Sequence, residues 1–147
     1  MKTIVAIWNS GGKGKSSSIL ELAQLMLAQL PKNHIPIYCS KDVKNLSIDF
    51  TLIIEINGKI VALESQGDPG TKLEKRLDDI VKNYNPDIII CSSRTRGETV
   101  WAINNVAKKH SYDKIWTSTY ETTHSHQLVN SLKGEHLFDL IQKLGLI

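Results

Sequence analysis

Ten residues near the N-terminus constrain this chain of 147 residues more than any other stretch: Trp8-Asn9-Ser10-Gly11-Gly12-Lys13-Gly14-Lys15-Ser16-Ser17. An apolar, β-branched run, Thr3-Ile4-Val5-Ala6-Ile7, leads into them, and Ile19, Leu20, Leu22, Ala23 and Leu25 follow at helical spacing. The pattern predicts a strand, a glycine-rich loop and a helix, the setting in which a loop can hold phosphate. Glycines let successive backbone N–H groups curl around an anion, and they remove the Cβ atoms that would block it. The helix that follows adds the positive end of its dipole. In such a loop Lys15 reaches the β- and γ-phosphates and the Ser16 hydroxyl ligates Mg²⁺. Ser10, Gly11, Gly12, Lys13, Gly14 and Ser17 complete the expected phosphate-binding set. The competing reading is a Gly/Ser/Lys surface turn; the strand before, the helix after and Lys-Ser in register favour the phosphate loop.

The most widespread form of this motif has glycine five positions before Gly14, where this chain has Asn9. The loop instead resembles the variant Gly-Gly-x-Gly-Lys-Ser/Thr of the P-loop ATPases that include chromosome-partitioning, septum-site and nitrogenase-iron proteins. That resemblance implies phosphate binding by Gly11, Gly12, Gly14, Lys15 and Ser16. Most dimeric members of the group carry a lysine just before the paired glycines. Here that position is Ser10, so a lysine acting across a dimer is not implied.

Length predicts a single domain spanning residues 1–147, large enough to bury its own core. A formal charge of +3 with scattered lysines does not indicate nucleic acid, which calls for a clustered basic face. No run reaches the length of a membrane span, and the N-terminus leads straight into a core strand rather than a secretory signal. Cys39 and Cys91 read as lone, small core residues in a reducing, cytoplasmic setting.

Along the chain, the first helix should run from Ser16 to about Leu30, ending at Pro31, with Leu20, Ala23, Leu27, Leu30 and Met26 on its apolar face. A second strand covers Ile35 to Cys39. Residues 49–56 and 59–63 flank Asn57-Gly58, the strongest hairpin signal in the sequence. The second arm ends in Glu64-Ser65-Gln66-Gly67-Asp68. Where P-loop proteins keep Asp-x-x-Gly, this chain has Glu64-x-x-Gly67, so Glu64 or Asp68 is the expected Mg²⁺ residue and Gly67 the γ-phosphate sensor. The order of phosphate loop, helix, hairpin and acid-x-x-Gly also resembles Ras-type small GTPases over about half the chain. A helix should cover Thr71 to about Tyr84, and a buried strand Asp87 to Cys91. That strand empties into Ser92-Ser93-Arg94-Thr95-Arg96. Carboxyl ends of parallel strands line ligand crevices, which brings Arg94 and Arg96 to the phosphate side. The guanine-reading Asn-Lys-x-Asp of GTPases is missing there. A helix from Glu98 to about Lys109, a strand from Lys114 to Tyr120, and one or two closing helices divided at Gly134 complete the chain. His124 and His126 read as polar loop residues.

The fold expected is α/β: a three-layer α/β/α P-loop sandwich with a mainly parallel sheet and an antiparallel hairpin edge. The resemblance implies Mg²⁺-dependent binding and hydrolysis of a nucleoside triphosphate, ATP rather than GTP. The protein would act as a nucleotide-dependent switch read by a protein partner or in a homodimer. In that scheme Gln66 orients the attacking water, and Arg94 or Arg96 neutralises transition-state charge. A small-molecule or nucleotide kinase and a non-catalytic nucleotide-binding adaptor are the alternatives.

Overall fold

The computed structural model describes residues 2–29 and 34–147. It is an α/β fold built on one six-stranded sheet in the order β2-β3-β4-β5-β1-β6. The strands are β1 (Thr3–Trp8), β2 (His34–Cys39), β3 (Thr51–Ile56), β4 (Lys59–Glu64), β5 (Ile88–Ser93) and β6 (Asp113–Thr117). The helices are α1 (Lys15–Gln29), α2 (Leu73–Tyr84), α3 (Glu98–His110) and α4 (His126–Lys143). Strands β4, β5, β1 and β6 run parallel, and β2 and β3 add two antiparallel pairings.

The two faces of the sheet follow from the period of two along each strand. On β1, Val5 and Ile7 meet α1 and α4 through Ile19, Leu22, Met26, Leu137 and Ile141. Ile4 and Ala6 point the other way, into Leu73, Leu77, Ile103 and Val106 of α2 and α3. Helices therefore cover both faces, and β1 and β5, buried between them, are apolar almost throughout. The Asn57-Gly58 turn takes positive φ at both residues, 51° and 79°, as a two-residue hairpin requires.

Four expectations are corrected. The hairpin is not the edge of the sheet: β4 pairs with β5 and β3 with β2, so β2 is outermost. The buried stripe of α1 is Ile19, Leu22, Ala23 and Met26, while Leu20 and Leu27 are only half-buried. Leu30 and Pro31, the expected end of that helix, lie outside the described residues. Gly134 does not divide the C-terminal region, which is the single helix α4. Its glycine is there for packing: a Cβ would lie 2.9 Å from Glu21 Cβ and 3.0 Å from Leu22 N on α1. The strand β6 also stops at Thr117, short of the expected Tyr120.

Gly134→Val should therefore lower stability by about 1–3 kcal/mol through overpacking of α1 against α4, read as a lower urea midpoint with unchanged slope.

Candidate functional site

The loop between β1 and α1 is pinned at its first residue. Asn9 donates its backbone N–H to Ser93 O (3.1 Å) and its side-chain amide to Thr119 Oγ1 (2.9 Å). Its Oδ1 accepts from Ser10 N at 2.7 Å. The backbone at this position ties the loop to the end of β5, and asparagine in place of the more usual glycine adds a tie to the segment after β6. Gly12 and Gly14 then take left-handed φ values of 72° and 80°. Gly11 and Gly14 also lie directly against two side-chain ends. A Cβ on Gly11 would lie 2.8 Å from the Arg94 guanidinium, and one on Gly14 would lie 2.4 Å from Asn130 Oδ1.

Lys15 is 6% exposed, and its ammonium donates to Asn9 O (3.1 Å) and Ser10 O (2.9 Å). Burial lowers its pKa first and the nearby Arg94 cation second, while Asp68 opposes both. Ser16 donates its hydroxyl proton to Ser65 O at 2.7 Å, which leaves its lone pairs free to accept or to coordinate.

These groups open into a cavity of about 540 Å³, inside the range of small-molecule sites. Residues 12–17 form one wall; Gly67, Asp68 and Ser92 form a second. Asp49, just before β3, and Tyr120, Asn130 and His126, from the segment after β6 and the start of α4, complete it. Gly67 is dictated by packing, since a Cβ would lie 2.0 Å from Ser92 O on β5.

The sequence-predicted residues divide into three groups. Gly12, Lys13, Gly14, Lys15, Ser16, Ser17, Gly67 and Asp68 are brought together on the cavity. Ser10, Gly11 and Arg94 border it: the Ser10 carbonyl takes Lys15, and Arg94 lies against Gly11 while pairing with Asp68 at 3.1 Å. Glu64, Gln66 and Arg96 are not on its lining. Arg96 is exposed. Gln66 is half-buried, with its carbonyl accepting from Arg76 at 3.0 Å.

The displacement of Glu64 is a correction with a simple cause. Leu63 faces α1, so the next residue on the strand must face α2. There Glu64 is 2% exposed; its Oε1 pairs with Arg76 at 2.7 Å and its Oε2 accepts from Thr51 Oγ1 at 2.6 Å. Arg76 also donates to Thr71 O (2.9 Å), Thr71 Oγ1 (2.8 Å) and Gln66 O (3.0 Å). Glu64 and Arg76 therefore clasp the loop 65–71 from behind, and that loop presents Gly67 and Asp68 to the cavity. Ser92, at the end of the strand beside β1, occupies the wall instead.

The cavity residues that were missed include Asp49, Ser92, Tyr120 and Asn130, and His126, read as a polar loop residue, lines the cavity as well. Ser92 carried a signal, because it ends an apolar parallel strand, where crevices form. Asp49, Tyr120 and Asn130 had none of comparable strength, because the folding of loops around the sheet brings them in. Among the described residues, no three His, Cys, Asp or Glu side chains gather as a metal cluster. The carboxylates on this cavity are Asp49, Asp68 and Glu121, and Ser16 is the hydroxyl at the start of α1. Comparison with protein-family models, curated proteins and solved structures returns no match.

Burial raises the Glu64 pKa above 4.5, with Thr51 and Arg76 opposing. The folded protein then holds this proton more tightly than the unfolded chain does. The contribution to stability falls as pH rises from about 4.5 through the raised value. Glu64→Gln should remove that slope, so the wild-type-minus-variant difference in urea stability declines across this window.

Proposed function

We propose that this chain binds a nucleoside triphosphate with Mg²⁺ in the cavity beside Lys15 and hydrolyses it slowly, as a nucleotide-dependent switch. One observation carries the reading: residues 12–17, with two left-handed glycines, a buried lysine and the start of α1, form a wall of the same cavity as Asp68. That arrangement suits an anion. The α1 N-terminus supplies partial positive charge, and Lys15 can exchange two neutral carbonyls for phosphate oxygens.

The donor set fits Mg²⁺, which takes hard oxygen ligands and commonly only one or two carboxylates beside substrate phosphates. Ser16 would hold it through a lone pair while keeping its hydrogen bond to Ser65 O, and Asp68 or Asp49 would hold its water. When bound, the ion neutralises phosphate charge. Glu64, turned to the other face of the sheet, takes no part in this, and neither does Gln66. Arg94 is the internal arginine placed to approach the phosphates. It borders the glycine loop and has only the exposed Asp68 carboxylate to release. ATP is preferred over GTP because no Asn-Lys-x-Asp follows β5.

Binding without turnover is favoured by a separate observation: the one buried carboxylate at the end of β4 is committed to Arg76 and Thr51. Phosphate release with and without Arg94 separates the two readings.

Lys15→Ala should weaken Mg²⁺–ATP binding about 100-fold, the loss of one or two charge-assisted hydrogen bonds, as measured by calorimetry. Equal affinity in wild type and variant would remove the basis of the proposal. Arg94→Ala should cut single-turnover hydrolysis by about 10³-fold, whereas the exposed Arg96→Ala leaves it within about twofold.

A further inference from the structure

One cluster, which reaches the cavity through Tyr120, has no part in phosphate binding. Lys133, midway along α4, is 2% exposed, and among the described residues no carboxylate pairs with it. Its ammonium donates to Thr117 Oγ1 at 2.8 Å, lies 3.0 Å from His136 Nδ1 and stands 5.4 Å from the centre of the Tyr120 ring. The His136 ring stacks on the same tyrosine, with centres 6.4 Å apart and planes 26° from parallel. Burial, and then the Lys133 cation, lowers the His136 pKa against the pull of Asp139. A neutral imidazole is what allows Nδ1 to accept from the ammonium.

Burying an ammonium without an anion is costly, and a lysine stem alone would fill the same space at lower cost. What the arrangement achieves is to hold Tyr120. This residue lies beyond the end of β6, in a segment without regular structure, and is 46% exposed. A cation and a second ring nevertheless pack against its aromatic system. Tyr120 lines the cavity that residues 12–17 also line. An exposed, immobilised aromatic ring sharing a cavity with an anion cradle is matched by a ligand that is anionic at one end and flat at the other.

We propose that Tyr120, held in place by Lys133 and His136, is a stacking platform for the planar heterocycle of a ligand whose phosphates lie on residues 12–17. This rests on the nucleotide reading above. Tyr120 touches the ligand; Lys133 is a positioning residue that acts through it.

The test titrates Mg²⁺–ATP and Mg²⁺–tripolyphosphate, which lacks a base, into wild type, Tyr120→Ala, Tyr120→Phe, Lys133→Met and Lys15→Ala. Tyr120→Ala and Lys133→Met should each bind ATP about tenfold more weakly, the scale of one lost base–aromatic stack, and bind tripolyphosphate as wild type does. Tyr120→Phe keeps the ring and should keep ATP affinity within about twofold. Lys15→Ala should weaken both ligands. If Tyr120→Ala binds ATP like wild type while Lys15→Ala does not, the platform is overturned and the phosphate site stands. Equal losses of ATP and tripolyphosphate in Tyr120→Ala overturn the platform too, since they report a collapsed wall rather than a lost stack. If Lys15→Ala matches wild type, or wild type binds neither ligand, both proposals fall. Normal ATP binding by folded Lys133→Met overturns the positioning role alone; should that variant not fold, the exposed Tyr120 pair still decides the platform.

Discussion

The candidate site depends on one buried serine. Ser65, fully buried just past the end of β4, accepts two hydroxyl hydrogen bonds at its carbonyl, from Ser16 on α1 and Ser92 on β5, both at 2.7 Å. Its own hydroxyl accepts from Phe50 N at 2.8 Å, and its N–H donates to Phe50 O at 3.1 Å. Four chain segments (the start of α1, the end of β5, the approach to β3 and the loop after β4) are thus joined through the polar atoms of a single residue. Buried polar groups are costly unless paired, and here the pairing demands a specific spatial relation between those segments. Helix α1 cannot slide relative to the sheet without orphaning a carbonyl or a hydroxyl. That rigidity places Lys15, Gly67 and Asp68 around one volume.

The local pieces were legible because each rests on short-range chemistry. The strand–loop–helix unit could be read from glycine content and periodicity, the hairpin from Asn57-Gly58, and the inner face of α2 from the spacing of Leu73, Leu77, Ile80 and Val81. The order of strands was not legible. Placing β5, rather than β4, beside β1 is a matter of crossover, and that moves the acid-x-x-Gly stretch one strand further from the glycine loop. The orientation of Glu64 was recoverable in principle: Leu63 belongs with the α1 face, and alternation sends its neighbour to the other. The motif encouraged a functional reading where strand parity required a structural one. Gly134 shows the reverse confusion. Glycine in an otherwise helical pattern suggested a break, and only the proximity of α1 explains why the helix runs on without a side chain there.

The clasp behind loop 65–71 and the wall in front of it divide two tasks that the motif would have assigned to one carboxylate. Glu64, dry and paired, holds the loop through Arg76. Asp68, exposed and facing Arg94, has the freedom to exchange partners. A carboxylate in a low-dielectric pocket exchanges partners slowly, because each exchange would strand a buried charge. One at a wet rim does so at little cost. Only the second kind suits a group that must respond to a ligand's charge, which is why the proposed response is placed on Asp68 and Arg94.

The two buried lysines on this side of the molecule support the same view. Lys15 is hydrogen-bonded by two backbone carbonyls, and Lys133 by a threonine hydroxyl beside an imidazole; neither has a carboxylate as its direct partner. Neutral acceptors compensate an ammonium less well than a carboxylate would, and desolvation lowers both pKa values. A chain selected for stability alone would replace both with apolar residues of similar volume, often without loss. Under the proposed reading an anion completes the coordination of Lys15, the free energy lost in burying that cation is offset on binding, and the ligand would stabilise the fold by more than its contacts at the surface suggest. Lys133 needs no external anion under the same logic, because its charge is directed onto the tyrosine ring, whose π system takes the place of a counter-ion.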